Sequence, residues 1–155
     1  MNDIYEIFFL DRVEYKLIAK VLADFLDFFP NEIGTSIEYY NLFDTDNELK
    51  IGMNIYYYTM GYRTFARIEH MRFQITDLQI IKLVHEFAVK LRTNVTTGDL
   101  TDDNGLTYMT INPNGSYCKA YDSENLDKKN KIYYDFTSYT EEMNISEYLS
   151  ILENK

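Results

Sequence analysis

His70, His85, Cys118 and the acidic stretch Asp44–Glu48 are the residues from which catalysis or metal binding would have to be built. A reactive or metal centre needs several ligands converging on one point, and two imidazoles and one thiol are few. His70 follows Glu69 and His85 precedes Glu86, but a zincin needs a second histidine four residues after the first, and neither pair has it. Both histidines therefore read as structural. Asp44-Thr-Asp-Asn-Glu48 has the opening of a calcium loop. It lacks the glycine at loop position six, where Leu49 stands, and the glutamate at position twelve, where Ile55 stands. A turn is expected there. Cys118 falls on an expected strand with no histidine beside it, which suits a buried thiol better than a nucleophile. No nucleophile elbow, phosphate loop or dinucleotide-binding glycine pattern occurs. The expectation is a protein that is not an enzyme and needs no metal and no cofactor.

The chemistry that is abundant is charge and tyrosine. The chain of 155 residues has 15 tyrosines, no tryptophan and a formal charge of −10. Tyrosine supplies rigid, amphipathic contact area favoured at binding surfaces. A negative field suits a basic partner and repels nucleic acid. The charge is unevenly placed: residues 1–50 hold 11 acids and 4 bases, residues 51–92 hold 3 acids and 6 bases, and residues 93–155 hold 11 acids and 5 bases. No Lys or Arg occurs from Val21 to Leu49, where Asp24, Asp27, Glu32, Glu38, Asp44, Asp46 and Glu48 lie. A solvated face that aids solubility is the plain reading of this window. An acidic docking surface is the sharper one, with Tyr56 and Tyr58 as aromatic anchors. Arg63, Arg67 and Arg72 gather on one expected strand, but an RNA-binding sheet wants its aromatics in a basic field. The partner expected is a basic protein, not nucleic acid.

These side chains need elements to hold them. Residues 4–10 read as a strand. Asp11 with Glu14 has the spacing of a capping box, and Val13, Leu17, Val21, Leu22, Phe25 and Phe29 follow at helical intervals, so a helix is expected over 12–28, ended by Pro30. Strands are expected at 36–43, 49–59 and 64–73, separated by turns at 44–47 and 60–61. Thr76-Asp-Leu-Gln79 is a second capping box, opening a helix through Arg92 with Leu78, Ile81, Val84, Phe87, Ala88 and Leu91 inward. Strands continue at 106–111, 116–121 and 131–137, the first two joined by the hairpin turn Asn112–Gly115. A polar loop fills 122–131. Thr140 or Asn144 caps a short final helix through Leu152.

The order β-α-β-β-β-α-β-β-β-α argues an α+β fold in one domain, 1–155, with a mostly antiparallel sheet and two main helices on one face. The other face should be half exposed. Alternation puts Asn54, Tyr56 and Tyr58 opposite Ile51, Met53, Ile55 and Tyr57, sets Tyr117, Lys119 and Tyr121 against Ser116, Cys118 and Ala120, and sets Lys131, Tyr133 and Asp135 against Ile132, Tyr134 and Phe136. Tyrosines mixed with Lys, Asp and Asn describe a wet surface ready for a partner. Tyrosine is also a common β-former on plain solvated sheets. No apolar run approaches the ~20 residues that span a bilayer. The acidic start of the chain and the single cysteine favour the cytoplasm and no membrane association.

One compact domain, excess acid, and the segment Leu83-Val-His-Glu-Phe-Ala-Val-Lys-Leu91 followed by the hairpin Thr110-Ile-Asn-Pro-Asn-Gly-Ser-Tyr117 resemble the small acidic α+β immunity proteins of bacterial polymorphic and contact-dependent toxin systems. The resemblance implies an inhibitor that binds a cognate toxin and blocks its active or docking surface. It carries over no binding residue. A phage-type inhibitor of a defence nuclease, with acids mimicking phosphates, is an alternative. So is a small enzyme or ligand-binding domain with a pocket between sheet and helices.

Overall fold

The computed structural model describes residues 4–39, 49–71, 73–123 and 133–154. Among them, nine strands form one sheet: β1 Tyr5–Phe9, β2 Ile33–Gly34, β3 Ile51–Tyr57, β4 Thr64–Met71, β5 Val95–Gly98, β6 Tyr108–Ile111, β7 Ser116–Asp122, β8 Phe136–Ser138 and β9 Met143–Asn144. The strand order is β2-β3-β4-β1-β5-β6-β7-β8, with β9 beside β7. Every pairing is antiparallel except the two-residue β2–β3 contact at one edge. The helices are α1 Tyr15–Leu26, α2 Ser36–Tyr39, α3 Asp77–Leu91 and α4 Ile145–Glu153. The fold is α+β with a mostly antiparallel sheet, and α1, α3 and α4 lie together on one face.

That shared face holds the main core. Ile18 and Leu22 of α1, Ile81, Val84 and Phe87 of α3, and Tyr148 and Leu152 of α4 meet Ile7, Phe9, Met53, Ile68, Val95 and Ile111 of the strands. The stripe of α1 runs through Ile18, Ala19, Val21, Leu22 and Ala23, not through the outer positions of the expected set. Leu17 and Phe29 stand exposed, and Phe25 is only half-buried. The helix also begins later than the capping pattern suggests. Its N-cap is Glu14, which makes no side-chain cap bond. Asp11 instead serves through its backbone: its N–H donates to Thr93 Oγ1 at 3.1 Å and its carbonyl accepts from Thr64 Oγ1 at 2.8 Å. The box at α3 forms as written, with Thr76 Oγ1 accepting from Gln79 N–H at 3.1 Å and the Gln79 side chain accepting from Thr76 N–H at 2.9 Å. Asn144 caps α4 through Ser146 N–H.

Two local readings change. The start of the expected strand 36–43 is the helical turn α2, because Thr35-Ser-Ile-Glu38 is itself a capping box: Glu38 Oε1 accepts from Thr35 N–H and Thr35 Oγ1 from Glu38 N–H. Residues 40–43 lie outside the described residues, as do most of the expected loop 122–131 and both Lys131 and Ile132. β5 has no counterpart among the expected strands. Its four residues are too short a run to show periodicity, yet they sit at the middle of the sheet between β1 and β6. The 131–137 strand is reduced to Phe136–Ser138 among the described residues.

The face away from the helices is not the wet surface that alternation suggests. In β1, Ile7 and Phe9 point to the helices and Phe8 to the other side, and all three are buried. A second, aromatic core covers this outer face, made of Phe8, Tyr62 and Phe65 with Tyr58, Tyr108, Tyr134 and Phe136 packed on it. Phe8 stacks on Phe65 at 4.7 Å and meets Tyr134 at 4.9 Å and Phe136 at 5.0 Å. The stretch Tyr133–Phe136 lies across it, tied by Tyr62 N–H donating to Tyr134 carbonyl at 2.7 Å. The ladder aligns Tyr56, Phe65, Phe8, Thr96, Thr110 and Cys118 in one row over six strands. Beyond the rings the row is polar but closed: Thr96 Oγ1 donates to the Tyr62 hydroxyl at 3.0 Å and lies 2.6 Å from Thr110 Oγ1. Cys118 is a buried thiol 3.0 Å from Ser138 Oγ.

Candidate functional site

The acids of the base-free window line one edge of the molecule, from the end of α1 through the 3₁₀ turn Pro30–Glu32 and edge strand β2 to α2. Each has a local reason for its position. Asp24 is exposed in the last turn of α1. Asp27 ends that helix in the left-handed conformation, φ 58°, which aspartate tolerates. Its N–H bonds back to Asp24 carbonyl. Glu32 belongs to the 3₁₀ turn, and Glu38 closes the box on α2. Asp44, Asp46 and Glu48 lie outside the described residues.

The lysines that bracket the window in sequence fold back onto it. Lys20 pairs with Asp24 at 3.1 Å and Lys50 with Glu32 at 3.3 Å, and Lys50 Nζ sits 4.6 Å over the Phe28 ring. Exposed pairs of this kind are worth only ~0–1 kcal/mol each, but they offset two of the four described carboxylates. Asp27 and Glu38 carry the remaining field. The Glu38 charge reaches α1: burial first, then that carboxylate, push the Tyr15 hydroxyl up to about 12.

Between these acids stand two large apolar side chains with little cover. Phe29 is 73% exposed and Ile37 is 86% exposed. The helical period places Phe29 on the buried stripe of α1, and the strand pattern places Ile37 inside a sheet. Neither position is reached by the core, because α1 ends at Leu26 and α2 turns its second residue outward.

The two expected tyrosine anchors divide. Tyr56 is exposed and stacks on Phe65 at 5.6 Å. It lies two residues along β3 from Asn54, which is tied to α2 by Ser36 N–H donating to its Oδ1 at 3.2 Å. Tyr56 therefore adjoins the acidic edge. Tyr58 is half-buried, packs edge-on against Tyr134 at 5.4 Å, and belongs to the aromatic core. Ser36 Oγ further donates to Glu69 at 2.9 Å, and Glu69 faces Arg67 at 3.7 Å, so Arg67 is engaged within the sheet face.

Tyr117 and Lys119 point to the helix side, against the expected placing outward. Tyr117 packs edge-on against Tyr148 at 5.2 Å. Lys119 reaches Asp99 at 3.2 Å, whose side chain is fully buried. Asp99 also accepts from Tyr148 hydroxyl at 2.7 Å and from Thr101 N–H and Oγ1 at 2.9 and 2.7 Å. Burial opposes the Asp99 charge, but bonds from Thr101, Tyr148 and Lys119 outweigh it and hold the carboxyl below its ordinary value. Tyr148, buried and giving its proton to that carboxylate, is raised far above the usual tyrosine range. This node joins the β5–β6 loop, β7 and α4. Sequence reading missed it: the loop Gly98-Asp-Leu-Thr-Asp-Asp-Asn-Gly105 announces turns, but Lys119 and Tyr148 come from elements far along the chain.

Among the described residues no three His, Cys, Asp or Glu side chains gather as a metal ion would require, and no helix is long and apolar enough to cross a membrane. No protein-family model, no curated protein and no solved structure matches the chain.

Proposed function

We propose that this protein is a binding module that docks a basic protein on its β2 edge, and that the partner is a toxin domain which it neutralises in the manner of a bacterial immunity protein. The observation that carries the docking reading is the placing of Phe29 and Ile37, largely uncovered, among Asp24, Asp27, Glu32 and Glu38. Apolar anchors inside a charged rim are what a specific interface needs: the anchors slow dissociation, and the rim steers encounter. Tyr56 extends the same surface. The toxin assignment rests on the resemblance in composition and segment pattern.

The test has two stages. A partner is captured from the native cell and identified, and its association is then followed by stopped flow at several salt concentrations. A basic partner whose on-rate falls with salt, and falls further for Asp27→Lys with Glu38→Lys, is expected. Phe29→Ala and Ile37→Ala should leave folding stability within ~0.5 kcal/mol, as exposed sites do. Each should raise the dissociation rate by about tenfold, the factor for ~1.4 kcal/mol. A partner that binds with unchanged rates in all of these variants refutes the β2 edge as the docking surface. A captured partner without toxic activity on expression alone refutes the immunity assignment and leaves the docking reading standing.

A further inference from the structure

A cleft of about 520 Å³ opens where β1 begins and β5 ends, beside the start of α3 and under the 99–107 loop. Small-ligand sites fall at roughly 300–1,000 Å³. The cleft shares no residue with the β2 edge, so a ligand held in it is independent of any partner docked there.

Its space is built by a glycine. A Cβ placed on Gly98 meets no atom within 4 Å, and Gly98 lies directly opposite Tyr108 in the β5–β6 ladder. Tyr5 and Tyr108, both half-buried, supply aromatic wall. The polar wall is of one sign: none of the lining residues is Lys, Arg or His. Its carboxylates are not equivalent. Asp99 is compensated by Lys119. Asp77 opens α3 and faces the positive end of that helix, which offsets it. Glu6 and Asp102 remain. Asp102 takes part in no ion pair among the described residues. Its oxygens accept from the amides of Asn104, Leu106 and Thr107 and from the Thr107 hydroxyl, which fix it in its ionised form. Glu6 lies opposite Arg67 in the β1–β4 ladder, but Arg67 is drawn to Glu69. The Glu6 charge bears on Tyr108, whose hydroxyl is raised by burial, then Asp122, then Glu6.

Anions are repelled by such walls. A bare metal ion finds no three ligands gathered among the described residues and would leave the rings unused. We propose that the cleft binds a small alkylammonium ligand, its charge met by Glu6 and Asp102 and its carbon body laid against the rings of Tyr5 and Tyr108, where cation–π attraction adds to burial.

Titration calorimetry of the full chain tests this with three probes: choline, spermidine and Nα-acetyl-lysine amide. The third tells a protein lysine from a free amine. The neutral isostere 3,3-dimethylbutanol is the control. Saturable binding of at least one cation at one site is expected, with the isostere bound about tenfold more weakly or worse. Glu6→Gln should weaken the cation about tenfold, the loss of one charged contact. Gly98→Leu should abolish binding by filling the cleft, at a backbone position that accepts a side chain. If Gly98→Leu fails to fold, Glu6→Gln together with Tyr108→Ala carries the same decision. No saturation with any of the three cations overturns the proposal, and so does binding that the cleft variants leave unchanged or that the isostere matches.

Discussion

Tyr148→Phe isolates the Asp99 node from the packing around it. The phenyl ring keeps the buried position and the edge-on contact with Tyr117, so the change removes only a hydroxyl. That hydroxyl makes two bonds: it donates to Asp99 at 2.7 Å and accepts from Leu100 N–H at 2.8 Å. A bond to an ionised acceptor is worth ~1.5–3 kcal/mol, and a buried amide left without a partner costs ~1–3 kcal/mol. Thr101 and Lys119 still hold the carboxylate, so the expected loss is about 3 kcal/mol and not the sum of both upper limits. Urea unfolding at pH 7 reads it as a lower midpoint with an unchanged slope. Acid gives a second, independent reading. Asp99 is depressed in the folded chain, so the stability it contributes is present above the unfolded value of 3.8 and is lost as pH falls through the folded one. Without the Tyr148 donor its folded value rises, so the variant has less to lose. The stability difference between the two proteins should therefore be largest at pH 7 and shrink toward the lowest pH at which both still fold. A loss below ~1 kcal/mol at pH 7, or a loss that stays the same in acid, refutes the assignment of Tyr148 as a donor that keeps Asp99 ionised.

Phe8→Ala tests whether the outer sheet face is a core. Removing a ring that contacts Phe65, Tyr134 and Phe136 should cost about 3–5 kcal/mol in denaturant titration. A loss under ~1 kcal/mol would mean a solvated face. Gly61→Ala probes how tightly Tyr133–Phe136 is held there. Gly61 has φ +60°, and an added Cβ would stand 2.2 Å from Tyr134 carbonyl oxygen, so backbone must move. A loss of about 2 kcal/mol, with a change in near-ultraviolet circular dichroism from the displaced tyrosines, is the expected outcome. An unchanged spectrum and midpoint would show that the contact is loose.

Local rules read from the sequence alone produced α1, α3 and α4, the antiparallel order of most strands, the Asn112–Gly115 turn with Gly115 at φ +86°, and the α+β class. They did so because caps, stripes and turns act within a few residues. The Thr35–Glu38 box that makes α2 was equally present, but the Ile and Tyr around it read as strand. The excess of acid and the window free of bases were also plain in the sequence, as was the scarcity of soft ligands. What the sequence could not settle was which face each side chain meets. Tyr58, Tyr108 and Tyr134 looked like surface because tyrosine suits both settings, and only the crossing of Tyr133–Phe136 over Phe8 made them core. Phe29 looked like core because the helical period ran through it, and only the end of α1 at Leu26 left it uncovered. Asp99 drew no notice in a chain rich in aspartate. Its burial, and the meeting of Lys119, Thr101 and Tyr148 around it, depend on long-range register, since a buried charge persists only where the fold brings its partners to it.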